Sequence, residues 1–185
     1  MSETFTAEKL LIKVINDFAD FLPYIVLVGG WVPYVYAKYK WKNVPNLAVS
    51  TSDIDFGVGN KEFKGKDSIA SYVRKLGYGE RHVSMDRMAP FVPIVRDVSS
   101  NLRAEVEFIA DPNASKGIIH KLIGGEIKIN EIENFNLLLE SVTMVKIDKQ
   151  KVQIPKEAMF AFHKLFTFVQ RENSQKFKKD QYYDY

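Results

Sequence analysis

The 185-residue sequence contains no cysteine and only three histidines. Without cysteine the chain can form no disulfide, no thiolate zinc site and no cysteine nucleophile. The histidines, His82, His120 and His163, are too far apart in sequence to predict a shared metal site. No serine lies in a pattern that would activate it, so we assign the histidines no catalytic role. A metal ion, if the protein uses one, is expected on oxygen or histidine ligands.

Long apolar runs are also absent. The longest, Tyr24–Ile25–Val26–Leu27–Val28, stops at Gly29–Gly30, far short of the roughly 20 residues that a membrane-spanning helix needs. Near the N-terminus, Glu3, Glu8 and Lys9 precede any apolar stretch, which is unlike a secretory signal. We therefore expect a cytoplasmic protein that has no membrane partner.

Neither sign of charge dominates the chain. Lys and Arg total 26 and Asp and Glu total 23, for a formal net charge of +3. This small excess allows an anionic partner without requiring one. With 46% hydrophobic and 26% charged residues, the composition is typical of a globular protein. The length suits one compact domain, or a small core with a helical appendage.

Hydrophobic spacing predicts a chain that contains both helices and short strands. Helices are predicted at residues 7–21, 31–39, 67–76 and 156–170, and from Ser174 to the end. Strands are predicted at residues 24–28, 54–58, 91–95, 102–109, 142–147 and 152–154. The turn Ser99–Ser100–Asn101 predicts an antiparallel hairpin of strands 91–95 and 102–109. Residues 40–52 read mostly as a loop, and the stretch after Asp111–Pro112–Asn113 is loosely patterned.

Asp53 and Asp55 are two residues apart, and both are assigned to the predicted strand around residues 54–58. On a strand their side chains leave the same face, about 7 Å apart along the chain. Two carboxylates on an otherwise apolar strand repel each other and are costly to desolvate unless a cation neutralises them. Hard oxygen ligands of this kind suit Mg²⁺ or Mn²⁺. The alternative is that Asp53 caps the strand entry and Asp55 faces solvent.

Gly29 and Gly30 lie between the predicted strand 24–28 and a helix that has Pro33 in its first turn. Glycines at such a turn can bring backbone N–H groups and a helix N-terminus close to a phosphate chain. A lone glycine pair is usually just a turn. Combined with Asp53 and Asp55, it predicts that a triphosphate and its metal ions share one site.

These two segments together resemble a known family. Val28–Gly29–Gly30–Trp31, followed by Thr51–Ser52–Asp53–Ile54–Asp55–Phe56–Gly57–Val58, is similar to the signature of the polymerase-beta-type nucleotidyltransferases. The resemblance implies an α+β fold, with a small mixed or antiparallel sheet flanked by helices, as a catalytic core in residues 1–154. It also implies a C-terminal helical segment in residues 155–185.

The same resemblance implies an activity. Members of the family use Mg²⁺ (or Mn²⁺) to transfer a nucleotidyl group from an NTP to a hydroxyl acceptor, with release of pyrophosphate. The implied acceptor is a tRNA, a protein or a small molecule, and the sequence does not choose among them.

A third carboxylate in this family comes from a neighbouring strand and has apolar neighbours. Val106–Glu107–Phe108–Ile109 fits that description, so the resemblance assigns Glu107, with Asp53 and Asp55, to catalysis and metal binding. Glu105 lies two residues earlier on the same strand face and is the competing candidate.

The C-terminal part is similar, more weakly, to nucleotidyltransferases related to abortive-infection and toxin–antitoxin proteins. The similarity covers Ile154–Pro155, His163–Lys164–Leu165 and Lys178–Lys179–Asp180. It implies that Lys164 and Asp180 bind the nucleotide together with Gly29 and Gly30, and that an antitoxin is a partner.

The spacing of Lys164 gives this assignment independent support. Phe160 and Phe168 lie four residues before and after it, so the lysine interrupts an apolar stripe of the predicted helix. The alternative is a lysine that extends to solvent from the helix edge.

Two features depart from the family pattern. The segment from Gly30 to Asp53 is longer than in compact members, and the chain ends at Tyr185 inside a predicted helix. The second feature leaves open whether a C-terminal portion is missing.

Two other functions are alternatives to the nucleotidyltransferase prediction. A phosphatase of the haloacid dehalogenase type also uses Asp-x-Asp, but on its first strand. The rival from another class is a non-catalytic module on the same fold that binds a nucleotide or a protein partner.

Overall fold

The computed structural model describes residues 3–42, 51–84, 89–97 and 102–169, with the backbone alone for residues 3–6 and 168–169. The helices are α1 Glu3–Asp17, α2 Val32–Val35, α3 Ile69–Lys75, α4 Lys116–Ile123, α5 Asn136–Glu140 and α6 Glu157–Val169. The strands are β1 Ile25–Val28, β2 Ile54–Val58, β3 Gly79–His82, β4 Phe91–Asp97, β5 Leu102–Ala110, β6 Ile129–Glu131, β7 Val142–Ile147 and β8 Gln150–Pro155.

Six strands form one mixed sheet around β5. The order is β1-β2-β5-β4-β3, and β6 pairs with the last residues of β5. Strand β5 is parallel to β2 and β6. The β1–β2, β3–β4 and β4–β5 pairs are antiparallel. The expected fold class, a small mixed sheet flanked by helices, is therefore confirmed, as is the predicted hairpin of β4 and β5.

One face of this sheet forms the main core. Along β5, Ala104, Val106 and Phe108 are buried and alternate with residues that are more exposed. Helix α1 packs on the buried face. Phe18, directly after the last residue of α1, places its ring 5.7 Å from that of Phe56 and 6.3 Å from that of Phe108. The heptad-like spacing of apolar residues in α1 and the period of two in β5 bury matching faces against each other. The opposite face of the sheet, called here the open face, carries Glu105 and Glu107.

The segment after β1 is less regular than a single helix. Gly29–Trp31 forms a 3₁₀ turn, α2 follows, and Tyr36–Trp41 is a π-helical segment. The prediction of one helix at 31–39 located this segment, but it did not separate the three parts. Pro33 lies in the first turn of α2, as expected.

Several elements were not predicted. Strands β3 and β6 and helices α4 and α5 are short, and three of them lie in the stretch after Asp111 that reads as loosely patterned. Short elements bury few side chains and so leave little periodic signal in the sequence.

The C-terminal elements of the described chain follow the prediction. Strands β7 and β8 form a separate antiparallel hairpin, and α6 begins after Pro155. The predicted helix from Ser174, together with Asp180, the turn at 99–101 and the side chain of Phe168, lies outside the described residues. In the part of the chain that is described, no helix is long and apolar enough to cross a membrane.

Candidate active site

Strands β2 and β5 bring two of the predicted carboxylates together. In the parallel pairing, Asp55 lies directly opposite Glu107. Residues opposite each other on paired strands share a face, so both side chains project from the open face. These strands are about 50 residues apart in sequence, and their pairing cannot be read from local pattern. Two adjacent carboxylates on one face repel each other unless a cation lies between them.

Asp53 lies just outside the strand. The sequence placed it on the same strand as Asp55, but β2 begins at Ile54, and this prediction is corrected. The side chain of Asp53 accepts a hydrogen bond from the Ser52 hydroxyl at 3.1 Å. Because Asp53 belongs to the incoming segment, its position depends on the residues before the strand as well as on the sheet.

Gly29 packs directly against Asp55. Its backbone φ is +71°, and a Cβ atom added there would lie 1.8 Å from the Asp55 Oδ2 atom. At Gly30 a Cβ would lie 2.7 Å from that of Thr51. A side chain is therefore excluded at both positions, and at Gly29 the left-handed backbone also favours glycine. This close approach explains why the turn after β1 carries two glycines.

Glu105 and Glu107 have different partners. Arg81 on β3 holds Glu105 through two hydrogen bonds, of 2.6 Å to Oε1 and 2.5 Å to Oε2. This guanidinium lowers the pKa of Glu105. Glu107 instead accepts a hydrogen bond of 2.9 Å from the Asn130 amide on β6. A carboxylate with one amide donor keeps lone pairs for a further ligand, whereas the bidentate pair commits both oxygens of Glu105.

Helices α5 and α6 cover one side of this area. Phe135 and Leu138 pack on Val26 and Val28 of β1 as a small second core. Helix α6 in turn packs on this unit, and the His163 ring meets the Phe135 ring edge-on at 5.6 Å. The C-terminal helix is thereby held facing the strand ends that carry the carboxylates.

A cavity of about 490 Å³ lies between the sheet and α6, within the range of small-molecule sites. Its walls contain all six of the predicted site residues that the structure describes, Gly29, Gly30, Asp53, Asp55, Glu107 and Lys164. Glu105 is absent from its walls. The ammonium group of Lys164 lies 5.7 Å from the centre of the Phe160 ring, a cation–π arrangement.

The cavity walls also contain residues that sequence reasoning missed. These are Lys128, Asn130, Phe135, His163 and Thr167, besides several apolar residues. Asn130 belongs to a three-residue strand, too short to show alternation. His163 is buried next to Lys164, and its position beside that lysine was the one available signal. The cavity therefore has an acidic end at the strands and an aromatic, basic side at α6.

The donor set is of the kind that Mg²⁺ and Mn²⁺ prefer, because all its candidate ligands are carboxylate oxygens. Among the described residues, no three Asp, Glu or His side chains approach closely enough to hold a metal ion as they lie. Asp55 and Glu107 are adjacent, and Asp53 shares their cavity. A metal ion held by two or three of them would complete its coordination with water or substrate oxygens, as Mg²⁺ commonly does.

Comparison with known proteins bears on the fold. No protein-family model matches the chain, and no curated protein matches its sequence. Among solved structures, it is similar to an antigenic nucleotidyltransferase-like protein from Paracoccidioides brasiliensis. The TM-score is 0.53 at 15% sequence identity, and the match covers 95% of this chain and 73% of that chain. The chain thus has a nucleotidyltransferase-like fold.

Proposed function

We propose that the protein is a nucleotidyltransferase that moves a nucleotidyl group from an NTP to a hydroxyl acceptor. The observation that carries the proposal is the pairing of β2 and β5, which sets Asp55 opposite Glu107 in a cavity shared with Asp53 and the Gly29–Gly30 turn. The nucleotidyltransferase-like fold supports it. In the reaction the acceptor oxygen bonds to the α-phosphorus, the bond from that phosphorus to the bridging oxygen breaks, and pyrophosphate leaves with the electron pair.

Asp53, Asp55 and Glu107 would hold the divalent metal. When bound, Mg²⁺ or Mn²⁺ neutralises phosphate charge and lowers the pKa of a hydroxyl. Asn130 fixes one oxygen of Glu107 and so limits the rotation of this carboxylate. The proton of the acceptor hydroxyl passes to a carboxylate of the site or to water.

The glycine turn and Lys164 would bind the triphosphate. Because Gly29 and Gly30 carry no side chains, phosphate oxygens would be able to approach their backbone N–H groups beside Asp55. Lys164 faces the same cavity from α6 and would offset part of the triphosphate charge. Asp180 is proposed, on the resemblance alone, to orient Lys164 or the acceptor. An antitoxin partner and membership of the toxin–antitoxin subfamily likewise rest on the resemblance.

The test is isothermal titration of each NTP with and without Mg²⁺, on the wild type and on Asp53→Asn/Asp55→Asn. We expect metal-dependent binding that the double variant loses. The matched control, Asp20→Asn/Asp67→Asn, removes the same two charges from exposed positions and should bind like the wild type. Wild-type protein that binds no NTP would overturn the proposal. Binding without transfer of labelled nucleotide to any acceptor would favour the non-catalytic binding module.

A further inference from the structure

We propose that the open face of the sheet beside the candidate active site binds a nucleic-acid strand as the acceptor. The binding surface consists of Arg81 on β3, Arg96 on β4 and Arg103 on β5, and is called here the arginine face. The inference deepens the proposed transferase function and depends on it for the role of the strand as acceptor. The binding of the strand to the arginine face does not depend on the proposed transferase function.

The strand register places all three arginines on the same side as the carboxylates. Arg96 lies opposite Arg103, and Arg81 lies opposite Val92, which is four residues before Arg96 on β4. Arg103 is four residues before Glu107 on β5. Because side chains alternate along a strand, residues two and four apart share a face. The arginine face and the carboxylate site therefore lie on the same face of the sheet.

The arginines are exposed, and Arg96 and Arg103 lie directly opposite each other. All three side chains are exposed. Arg96 extends over β3, since a Cβ atom added to Gly79 would lie 3.7 Å from its Nε and Nη2 atoms. Like charges directly opposite each other on paired strands are destabilising, as for Arg96 and Arg103. A phosphate group between them would remove this repulsion.

Glu105 lies between the arginine face and the carboxylate site. Its bidentate pair with Arg81 fixes that guanidinium beside the site, and Arg81 lies within electrostatic reach of Glu107 and Asp53. Among the described residues of the arginine face, Glu105 compensates one of the three positive charges and leaves an excess of about two. An anionic ligand would thus be attracted to the arginines and excluded from the bare carboxylates, unless a cation occupies them.

The dimensions favour a strand with several phosphates over a single phosphate group. From Glu107 to Arg103 is four residues, or about 13 Å along β5 at about 3.3 Å per residue. One nucleic-acid strand advances about 3.4 Å per phosphate when stacked, so the surface spans three or four phosphates. Planar guanidinium groups bind phosphate oxygens in pairs. Contacts of this kind fix position and orientation and carry no base specificity.

A strand bound in this way would present its terminal hydroxyl to the carboxylate end of the cavity. That oxygen would bond to the α-phosphorus of the NTP, pyrophosphate would leave, and the hydroxyl proton would pass to a site carboxylate or water. The product is a strand longer by one nucleotide, or capped by one, according to which end enters.

The experiment measures fluorescence anisotropy of labelled single-stranded RNA and DNA 12-mers at increasing salt, without NTP. Arg96→Gln/Arg103→Gln is compared with the wild type. For two lost phosphate contacts the slope of log affinity against log salt should fall by about 1.4, and affinity at low salt should fall by roughly tenfold or more. The matched control is Lys149→Gln/Lys151→Gln, which removes the same charge from exposed positions in the β7–β8 hairpin.

We expect the arginine variant to lose affinity for the labelled strand, and the lysine control to bind it within twofold of the wild type. Equal loss in both variants, or equal displacement by poly-glutamate, would overturn the inference, because binding would then follow net charge alone. The RNA and DNA arms show which strand is preferred. NTP titration of the arginine variant, measured separately, should match the wild type. Failure of nucleic-acid binding is thereby distinguished from failure of the proposed transferase site.

Discussion

The two glutamates of β5 differ in their surroundings although they share a strand and a face. Glu107 lies in the cavity opposite Asp55, and Glu105 lies outside it in a bidentate pair with Arg81. Glu107→Gln is expected to weaken Mn²⁺ binding by at least about tenfold, since loss of even an outer-shell partner costs 10- to 100-fold. Glu105→Gln should leave it within about threefold. Electron paramagnetic resonance of free Mn²⁺ measures both. The opposite ranking would make Glu105 the third carboxylate.

Gly29 has a left-handed backbone and lies directly against the Asp55 carboxylate. Gly29→Ala forces a side chain into a left-handed backbone, at a cost of about 1–2 kcal/mol, and pushes the Asp55 carboxylate from its place. We expect lower stability and loss of metal-dependent NTP binding, measured by chemical unfolding and calorimetric titration.

Gly77 provides a matched control for this substitution. Its φ is +73°, and nothing lies within 4 Å of an added Cβ. Gly77→Ala should therefore show a similar loss of stability, about 1–2 kcal/mol, without loss of binding. If both variants kept full NTP binding, the glycine turn would not form part of the nucleotide site.

Helix α1 and the π-helical segment after α2 are joined through a buried carboxylate. Glu8 is 4% exposed; it accepts a hydrogen bond of 2.5 Å from Lys38 and another from the Tyr39 hydroxyl. Burial alone would raise the pKa of Glu8, but these donors outweigh it and hold the pKa below its usual value of 4.5. The junction positions the segment that follows the glycine turn.

Acid should loosen this junction. A carboxyl whose pKa is lowered in the folded state contributes stability above its unfolded pKa, and loses that contribution as the pH falls through the folded pKa. We expect Glu8→Gln to be less stable than the wild type by about 1–3 kcal/mol at pH 7, and the difference to shrink below pH 4.5. Urea unfolding from pH 7 to 3 measures it. The same substitution at the exposed Glu133 is the control; a constant difference at all pH values would contradict the assignment.

At the scale of the whole molecule, the cavity lies between two layers, the sheet and helix α6. The sheet supplies the acidic end, and α6 supplies Lys164 and His163 from the other side. A ligand that contacts both layers stabilises the folded chain by mass action. At a concentration 100 times its Kd, NTP with Mg²⁺ should add about 2.7 kcal/mol, which raises the Tm of a chain of this size by about 5–10 °C.

Differential scanning fluorimetry tests this stabilisation. The increase in Tm should disappear in Asp53→Asn/Asp55→Asn and shrink in Lys164→Gln, since that variant loses the contact from α6. An equal increase in the wild type and both variants would place nucleotide binding outside this cavity.

Local pattern was sufficient for much of the fold. Helices α1 and α6, strands β1 and β2 and the β4–β5 hairpin are readable because apolar periodicity and turn residues act over a few positions. The same holds for the glycine turn and for the spacing of Asp53 and Asp55. The α+β class is what the resemblance implied, and the similar solved structure supports it.

Tertiary structure decided which of these residues meet. The choice of β5 as the parallel neighbour of β2, and the register that sets Glu107 opposite Asp55, depend on how two buried strand faces fit against α1. Asn130 and His163 enter the site through a three-residue strand and through the packing of α6 on Phe135. Such contacts join segments far apart in sequence, so no local window contains both partners. The sequence determined the chemical groups, and long-range packing determined their arrangement.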